Sequence, residues 1–164
     1  PYCKVGGEVN NSVIFGYSNK AHDGFLGNAV LGEWCNIGAD SNNSNLKNNY
    51  EKVKIWSYVK NGFAETGLQF CGLIMGDHSK CGINTMFNTG TVVGVSSNIF
   101  GDGFPRNFIP SFQWGGSQGF TEYKINKAIQ TAELVYARRE MLFDDTEKKI
   151  FQHLYNLTYP ENTK

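Results

Sequence analysis

Apolar, small and hydroxyl residues recur every six positions between Met75 and Phe100. Each hexapeptide begins with an apolar residue and has Ser or Thr at its fifth position, and Gly is common at its second position. The first positions are Met75, Cys81, Phe87, Val93 and Ile99, and the fifth positions are Ser79, Thr85, Thr91 and Ser97. An inward apolar residue, a glycine where the backbone turns and a small residue at a tight inner corner are typical of a parallel β-helix. The pattern therefore predicts an all-β solenoid in which three hexapeptides form a coil of about 18 residues.

The same pattern occurs upstream, in the hexapeptides 25–30, 31–36 and 37–42. The predicted inward residues there are Phe25, Leu31 and Ile37, and the predicted inner-corner residues are Ala29, Cys35 and Ser41. An antiparallel β-sandwich also alternates apolar and polar residues, but it does not account for a period of six. Polar residues at about 43–62 break the period and indicate an excursion from the solenoid. Such a loop either helps to form a binding site or is a tolerated surface insertion.

Beyond residue 103 the six-residue pattern is lost. Residues 104–120 are rich in Gly, Pro and aromatic residues, and we predict a connecting loop there. A helical period follows, with Thr121 as the expected capping residue, and Asp145 is expected to start a second, shorter helix. The residues expected on the buried helix faces are Ile125, Ala128, Ile129, Ala132 and Val135, then Ile150 and Leu154. We therefore predict a β-helix at 1–103 and a helical cap at 121–164 that closes the open end of the solenoid.

Charge and cysteine content narrow the function classes. The chain has 15 basic and 15 acidic residues, so that nothing in the net charge favours nucleic acid or a membrane surface as a partner. The apolar runs are far shorter than the roughly 20 residues that span a bilayer, and we expect a cytoplasmic protein. The four cysteines form no CxxC pair and are expected to be reduced core residues. Patterned sequence begins almost at once after Pro1, which suggests a fragment of a longer protein.

The run SNKAHDGFLGNAVLGEWCNIGADSNNSNLKN, residues 18–48, resembles the β-helix domain of the bifunctional N-acetylglucosamine-1-phosphate uridyltransferase/glucosamine-1-phosphate acetyltransferases. GLQFCGLIMGDHSKCGINTMFNTGTVVG and FPRNFIPSFQWGG resemble a group of Bacteroidetes sugar nucleotidyltransferase-like proteins with the same two-domain plan. The resemblance implies a left-handed coil, although parallel crossovers are right-handed in about 98% of cases. It also implies an N-terminal nucleotidyltransferase domain that precedes this chain and that would use Mg²⁺.

The same resemblance implies a set of acyltransferase residues. His22 falls where the family places its catalytic base, and an imidazole can accept a proton from a sugar amine that attacks the thioester of acetyl-CoA. Asn36 matches an asparagine that contacts the sugar, and Ala39 matches an alanine near the acyl carrier. Asn45 matches an asparagine beside the thioester, where a side-chain amide could polarise the acyl group.

Other positions depart from the family pattern. Phe25 stands where the family has a sugar-contacting tyrosine, Ile83 where it has a CoA-contacting serine, and Gly101 where it has an alanine. The family's phosphate-binding basic residues are not matched, and Lys20 and Lys4 are the nearby candidates. His78 takes an outward position in its hexapeptide and is a further candidate for substrate contact.

Three function classes follow from this sequence. The first is an acyl-CoA-dependent acyltransferase domain that acts on a sugar phosphate or nucleotide sugar, and for this class the resemblance implies a homotrimer with its active site between neighbouring chains. The second is a noncatalytic trimerisation or regulatory β-helix of a sugar-1-phosphate nucleotidyltransferase. The third is a γ-class carbonic anhydrase, which the sequence disfavours because its histidines, His22, His78 and His153, lack the HxxxxH spacing of that zinc site. We expect no metal site in this chain.

Overall fold

Short parallel strands build the body of the protein, which the computed structural model describes for residues 1–160. In chain order the strands are β1 (Lys4–Val5), β2 (Glu8–Asn10), β3 (Val13–Ile14), β4 (Asn19–Lys20), β5 (Phe25–Gly27), β6 (Val30–Leu31), β7 (Asn36–Ile37), β8 (Asn42–Asn43), β9 (Lys54–Ser57), β10 (Gly62–Glu65), β11 (Ile74–Met75), β12 (Lys80–Cys81), β13 (Met86–Phe87), β14 (Val92–Val93), β15 (Asn98–Ile99), β16 (Phe108–Ile109), β17 (Gln113–Gly116) and β18 (Gly119–Glu122). Two helices follow, α1 (Ile125–Ala137) and α2 (Asp145–Thr158).

The strands stack on three faces of a triangular prism. The first face has the order β1-β4-β7-β12-β15-β17-β18, the third face has the order β3-β6-β11-β14-β16, and the second face contains the pairs β2-β5 and β8-β13. Within the prism every strand pair is parallel, and only the terminal pair β17–β18 is antiparallel. The predicted left-handed parallel β-helix with C-terminal helices is confirmed.

The six-residue register explains the core. Inward residues of successive coils form one buried apolar cluster, which includes Leu31, Ile37, Met75, Cys81, Phe87, Val93 and Ile99. The predicted inner-corner residues are buried as well, and their hydroxyl groups join neighbouring coils. The Ser79 hydroxyl donates to the Gly94 carbonyl at 2.6 Å and accepts from the Ser97 N–H at 2.9 Å. A small hydroxyl residue at this corner therefore satisfies backbone groups that the sharp turn leaves unpaired.

One inward assignment was wrong. Leu26, not Phe25, points into the prism and is only 2% exposed, whereas Phe25 is half-buried on the second face. The inward positions are six apart from Lys20 to Leu26, but Leu31 follows after five residues. The corner between β5 and β6 is thus one residue short, and this shift displaced the hexapeptide assigned to 25–30.

The excursion has different bounds from those expected at about 43–62. Asn43 still belongs to the coil, because β8 pairs with β13 and places Asn43 beside Phe87. The chain leaves the prism after Ser44 and returns before β11, and the excursion contains the antiparallel hairpin β9–β10. Asn43 is a polar residue at an inward position, and its amide is satisfied by the backbone N–H and carbonyl of Gly27. Because Asn43 is polar, the six-residue pattern of inward apolar residues was predicted to end one coil position too early.

Residues 104–120, expected to be a connecting loop, contain a further part of the solenoid. β16 extends the third face, since Ile109 pairs with Val93, and Ile109 is fully buried. β17 extends the first face beyond β15, and β18 folds back along it. The aromatic and proline residues of this segment hid the inward position of Ile109 from the sequence pattern.

The helices differ in detail from the expected cap. Thr121 lies in β18 rather than at a helix start, and α2 has 14 residues against 13 in α1, so it is not the shorter helix. Asp144 caps α2 by accepting from the N–H groups of Thr146 and Glu147. Ile150, expected to be buried, is 49% exposed, and Phe151 and Tyr155 are buried in its place. Residues 161–164 of the predicted cap lie outside the described residues. Neither helix, nor any other in residues 1–160, is long and apolar enough to cross a membrane.

The helices pack along one edge of the prism rather than over its open end. At this edge, between the third and first faces, successive coils place Tyr17, Trp34, His78, Ser96 and Phe112 with positive φ angles of 54–62°. The Trp34 ring stacks on Tyr17 and on Tyr136 of α1, with centroid separations of 4.1 and 4.2 Å. Ser96 lies between His78 and Phe112 in the column and has no ring. At this height Phe151 of α2 contacts the rings of both His78 and Phe112. We call this set the aromatic edge, and it holds the helices on the solenoid.

Candidate functional site

Four of the predicted site residues occupy the edge between the first and second faces. Parallel register aligns Lys20, Ile37, Cys81 and Ile99 in successive coils, and the residues two positions further on are His22, Ala39, Ile83 and Gly101. A hydrogen bond of 2.8 Å from the Asn84 N–H to the Ala39 carbonyl joins two of these coils at the corner. We call this column the His22 edge.

The His22 edge is open in the single chain. His22 and Gly101 are exposed, and Ile83 is 69% exposed. Close approach of the coils requires glycine at Gly38, where a Cβ atom would collide with the backbone of Gly82 and Ile83. Within residues 1–160 the His22 imidazole has no hydrogen-bond partner. The edge is therefore an exposed surface column that carries His22, rather than an enclosed pocket.

Lys20 does not contribute to this edge as expected. Its side chain points into the prism and is only 1% exposed, and its ammonium donates to the carbonyl of Gly6 at 3.0 Å and to the carbonyl of His22. Burial lowers the pKa of Lys20, while the carboxylates of Asp23 and Asp40 act in the opposite direction. Lys20 thus fixes the backbone at His22 from inside and is not placed to bind a phosphate.

The remaining predicted residues are distributed over two faces and another edge. Asn36 is exposed on the first face, next to the His22 edge. Phe25 lies on the second face, where its N–H donates to the Asn42 side chain at 2.8 Å. Asn45 lies at the edge between the second and third faces, and its amide donates to the Asn28 side chain at 2.8 Å. A single chain therefore does not bring Asn45 to His22.

Asp23 and Asp40 form a feature that the sequence reasoning missed. Each follows a member of the His22 edge directly, and the Asp40 N–H donates to the Asp23 carbonyl at 3.0 Å. Their carboxylates make the electrostatic potential around His22 more negative, which disfavours binding of an anionic group there. Asp23 and Asp40 could have been found from the sequence, because they directly follow the aligned residues His22 and Ala39. Among residues 1–160 no group of three His, Cys, Asp or Glu side chains could hold a metal ion.

His78, the further candidate for substrate contact, is buried although it points outward from its hexapeptide. It belongs to the aromatic edge and is 6% exposed, stacked beside Trp34 and Tyr136 and touching the ring edges of Phe143 and Phe151. Burial, with a smaller effect from Lys80, lowers the pKa of His78 to about 3. The six-residue pattern predicts only whether a side chain points into or out of the prism. It could not predict that the two helices cover His78. His78 therefore cannot contact substrate while the helices are in place.

This burial predicts an acid-dependent loss of stability. The unfolded chain protonates His78 near pH 6.5, but the folded protein keeps it neutral down to about pH 3. Above pH 6.5, His78 therefore causes little loss in the free energy of unfolding. As the pH falls below 6.5, His78 lowers the free energy of unfolding by up to about 1.4 kcal/mol per pH unit. Urea unfolding of wild type and His78→Phe at pH 7 and pH 4.5 should show a loss about 2 kcal/mol smaller in the variant. His153→Gln, an exposed control, should behave as wild type, and equal losses in wild type and His78→Phe would refute the interpretation.

The coil geometry and the open His22 edge define the class of protein as a left-handed hexapeptide β-helix. No protein-family model matches the chain. Curated proteins do: the bifunctional protein GlmU of Methanocaldococcus jannaschii is 29% identical over 136 residues, which cover 83% of this chain and 28% of that protein. GlmU of Methanococcus aeolicus is 25% identical over 141 residues, covering 86% of this chain and 29% of that protein.

A third relative adds a related name. The bifunctional sugar-1-phosphate nucleotidylyltransferase/acetyltransferase of Sulfurisphaera tokodaii is 31% identical over 93 residues, covering 57% of this chain and 23% of that protein. The chain is thus similar to bifunctional nucleotidyltransferase/acetyltransferases, and it spans less than a third of the length of each relative named here. The resemblance to a Bacteroidetes group stays a prediction.

Proposed function

We propose that this chain is an acyl-CoA-dependent acyltransferase domain that acts on a sugar phosphate or nucleotide sugar, with His22 as the general base. The observation that carries the proposal is the His22 edge, which aligns the predicted base with the predicted acyl-carrier positions Ala39, Ile83 and Gly101. The names of the relatives support acyl transfer, since each names a bifunctional protein and one names an acetyltransferase. A nucleotidyltransferase domain elsewhere in a longer protein belongs to the same proposal.

The proposed reaction uses acetyl-CoA as a cosubstrate. His22 accepts a proton from the acceptor's amine or hydroxyl as that atom bonds to the thioester carbonyl carbon. The carbon–sulfur bond then breaks, and the imidazolium returns the proton to the departing sulfur, so that free CoA is released. The open His22 edge at Ala39 and Gly101 would admit an extended carrier, and the exposed Ile83 side chain offers it an apolar contact. Asn36, on the adjoining face, would contact the sugar.

Two features support a site shared between chains. Asn45 lies at a different edge from His22, and the His22 imidazole lacks an orienting partner within residues 1–160. The outward residues of the third face are all apolar, namely Val13, Val30, Ile74, Val92 and Phe108. Val13 and Val30 are 55% and 37% exposed, whereas Val92 is already buried within the chain and the Trp56 ring covers Phe108. A homotrimer formed through the exposed part of this row could supply the partner that the His22 edge lacks within the described residues, and Asn45 of a neighbouring chain is the proposed one.

Light scattering tests the assembly directly. We expect wild type at micromolar concentration to have three times the 18.3 kDa mass of the single chain. Val13→Asp/Val30→Asp should shift the mass toward that of one chain, because it buries two carboxylates in the proposed interface. Val59→Asp is the control, since Val59 is 99% exposed at the hairpin turn. A monomeric wild type would remove the shared site together with the trimer.

A noncatalytic trimerisation or regulatory role is the second candidate. It is favoured by the position of Lys20 inside the prism and by Phe25 and Ile83, which depart from the family pattern. Calorimetry with acetyl-CoA separates the two functions. An acyltransferase should bind acetyl-CoA and acylate at least one member of a panel of amino-sugar phosphates, sugar phosphates and nucleotide sugars. A trimer that does neither is an assembly module.

A further inference from the structure

A small polar cleft lies between the first face and the end of α1, away from the His22 edge. Its volume is about 160 Å³, on the scale of a phosphoryl group with part of a sugar, and it is lined by Lys4, Tyr17, Asn19, Trp34, Val135, Arg138 and Arg139. Lys4 and Asn19 come from adjacent strands, β1 and β4, whereas the arginines directly follow α1. The fold thus brings Lys4 close to the consecutive residues Arg138 and Arg139, which are distant from it in sequence.

The cationic side chains of this cleft form no ion pair within the described residues, although Glu140 lines the neighbouring cavity with both arginines. Among residues 1–160, no salt bridge is formed by Lys4, Arg138 or Arg139, although four other pairs occur on the surface. Arg139 instead lies over the ring of Tyr2, with 5.8 Å between the guanidinium carbon and the ring centroid. Tyr2 in turn stacks on Tyr17 at 5.5 Å. The guanidinium groups therefore keep their hydrogen-bonding capacity for an oxyanion.

Asn19 supplies a second, independent observation. Its side-chain oxygen is buried and has no hydrogen-bond partner in the described part of the chain. An unpaired buried acceptor is costly, and such groups are normally satisfied by a donor, a water molecule or a ligand. A fully ionised phosphoryl group has no hydrogen to donate to this oxygen, whereas a sugar hydroxyl group does. Asn19 lines the cleft, so that rotation of its amide would present this oxygen to a ligand hydroxyl beside the cationic side chains.

We propose that the cleft between β1, β4 and the end of α1 binds a polyhydroxylated phosphate ester, with Arg138, Arg139 and Lys4 on the phosphoryl group and Asn19 on a sugar hydroxyl. A sugar phosphate, a nucleotide sugar and CoA share this chemistry. Asn19 lies three residues before His22 along the first face, which is about 10 Å in an extended chain. The acidic row at Asp23 and Asp40 disfavours a phosphoryl group beside His22, whereas the basic cleft favours it here.

Binding, rather than acyl transfer, provides the test, so that the outcome does not depend on the proposed activity. Calorimetry at low ionic strength would use glucose 1-phosphate, UDP-glucose, CoA and uncharged glucose as probes. Arg138→Gln/Arg139→Gln should weaken binding of the preferred ester at least about tenfold. Lys127→Gln/Lys149→Gln is the matched control, because it removes the same charge from exposed positions of the two helices. Circular dichroism would establish that each variant is folded.

The Asn19 contribution is separable from the charge. Asn19→Ala should weaken binding of glucose 1-phosphate several-fold but leave binding of sulfate unchanged, since sulfate has the oxyanion but no hydroxyl group to donate to Asn19. The ranking of the three esters then identifies the source of the phosphoryl group.

The arginines have one competing role, which is to complement the negative end of α1. That role predicts a less stable Arg138→Gln/Arg139→Gln protein whose ester binding is unchanged. Equal losses in this variant and in the lysine control, binding of glucose as tight as that of its phosphate, or no binding of any ester would each overturn the proposal.

Discussion

His22→Ala is expected to lower the rate of acyl transfer by about 10²- to 10⁴-fold, the range over which a general base contributes. Affinity for acetyl-CoA and the mass of the trimer should stay near wild type, because His22 is exposed and makes no side-chain hydrogen bond within residues 1–160. The measurement is release of free CoA in the presence of the acceptor panel, alongside calorimetry. A fall in kcat with unchanged carrier binding would assign His22 to the chemical step.

His153→Ala is the matched control, since His153 is exposed on α2 and distant in the fold from the His22 edge. Activity that survives His22→Ala would place the base elsewhere. His78 is then no substitute, because Trp34, Tyr136, Phe143 and Phe151 enclose it.

Phe87→Ala should lower the free energy of unfolding by about 3–5 kcal/mol, as is typical of a large side chain removed from a packed interior. Phe87 is 2% exposed and lies on the second face, directly over Asn43 of the preceding coil. The loss should be large because backbone hydrogen bonds to the coils on either side restrict collapse around the cavity. Urea unfolding at fixed protomer concentration gives the value.

Phe104→Ala provides the comparison, because Phe104 is 51% exposed and follows the regular coils. It should cost less than about 1 kcal/mol, as surface substitutions usually do. A similarly small loss for Phe87→Ala would contradict its role as an inward core residue.

The six-residue period made most of the solenoid predictable. An inward apolar residue and a small corner residue are both imposed by the coil itself, so Met75 to Ile99 could be assigned without tertiary information. The errors arose where one residue is missing from a corner, as after Leu26, or where a polar residue replaces the inward apolar one, as at Asn43. Backbone partners satisfy Asn43, and no sequence pattern reveals them.

The candidate site was predictable to a smaller extent. The alignment of His22 with Ala39, Ile83 and Gly101 follows from register alone, although their roles rest on the family resemblance. The inward direction of Lys20 was missed, because the predicted register placed Phe25 inward instead of Leu26, which lies six residues after Lys20. The burial of His78 was not, because it depends on how α1 and α2 pack against a corner far away in sequence.

The excursion between β8 and β11 leaves the coil without altering it. Met75 still pairs with Leu31, as it would if a short corner joined the two strands, and a bridge between Leu46 and Phe70 closes the base of the detour. Trp56 of the hairpin lies flat on Phe108, with 4.1 Å between ring centroids, and so roofs part of the third face. The turn of this insert can therefore change in length without shifting the register that carries the His22 edge, whereas Trp56 and the buried Val53 are held in place by their packing.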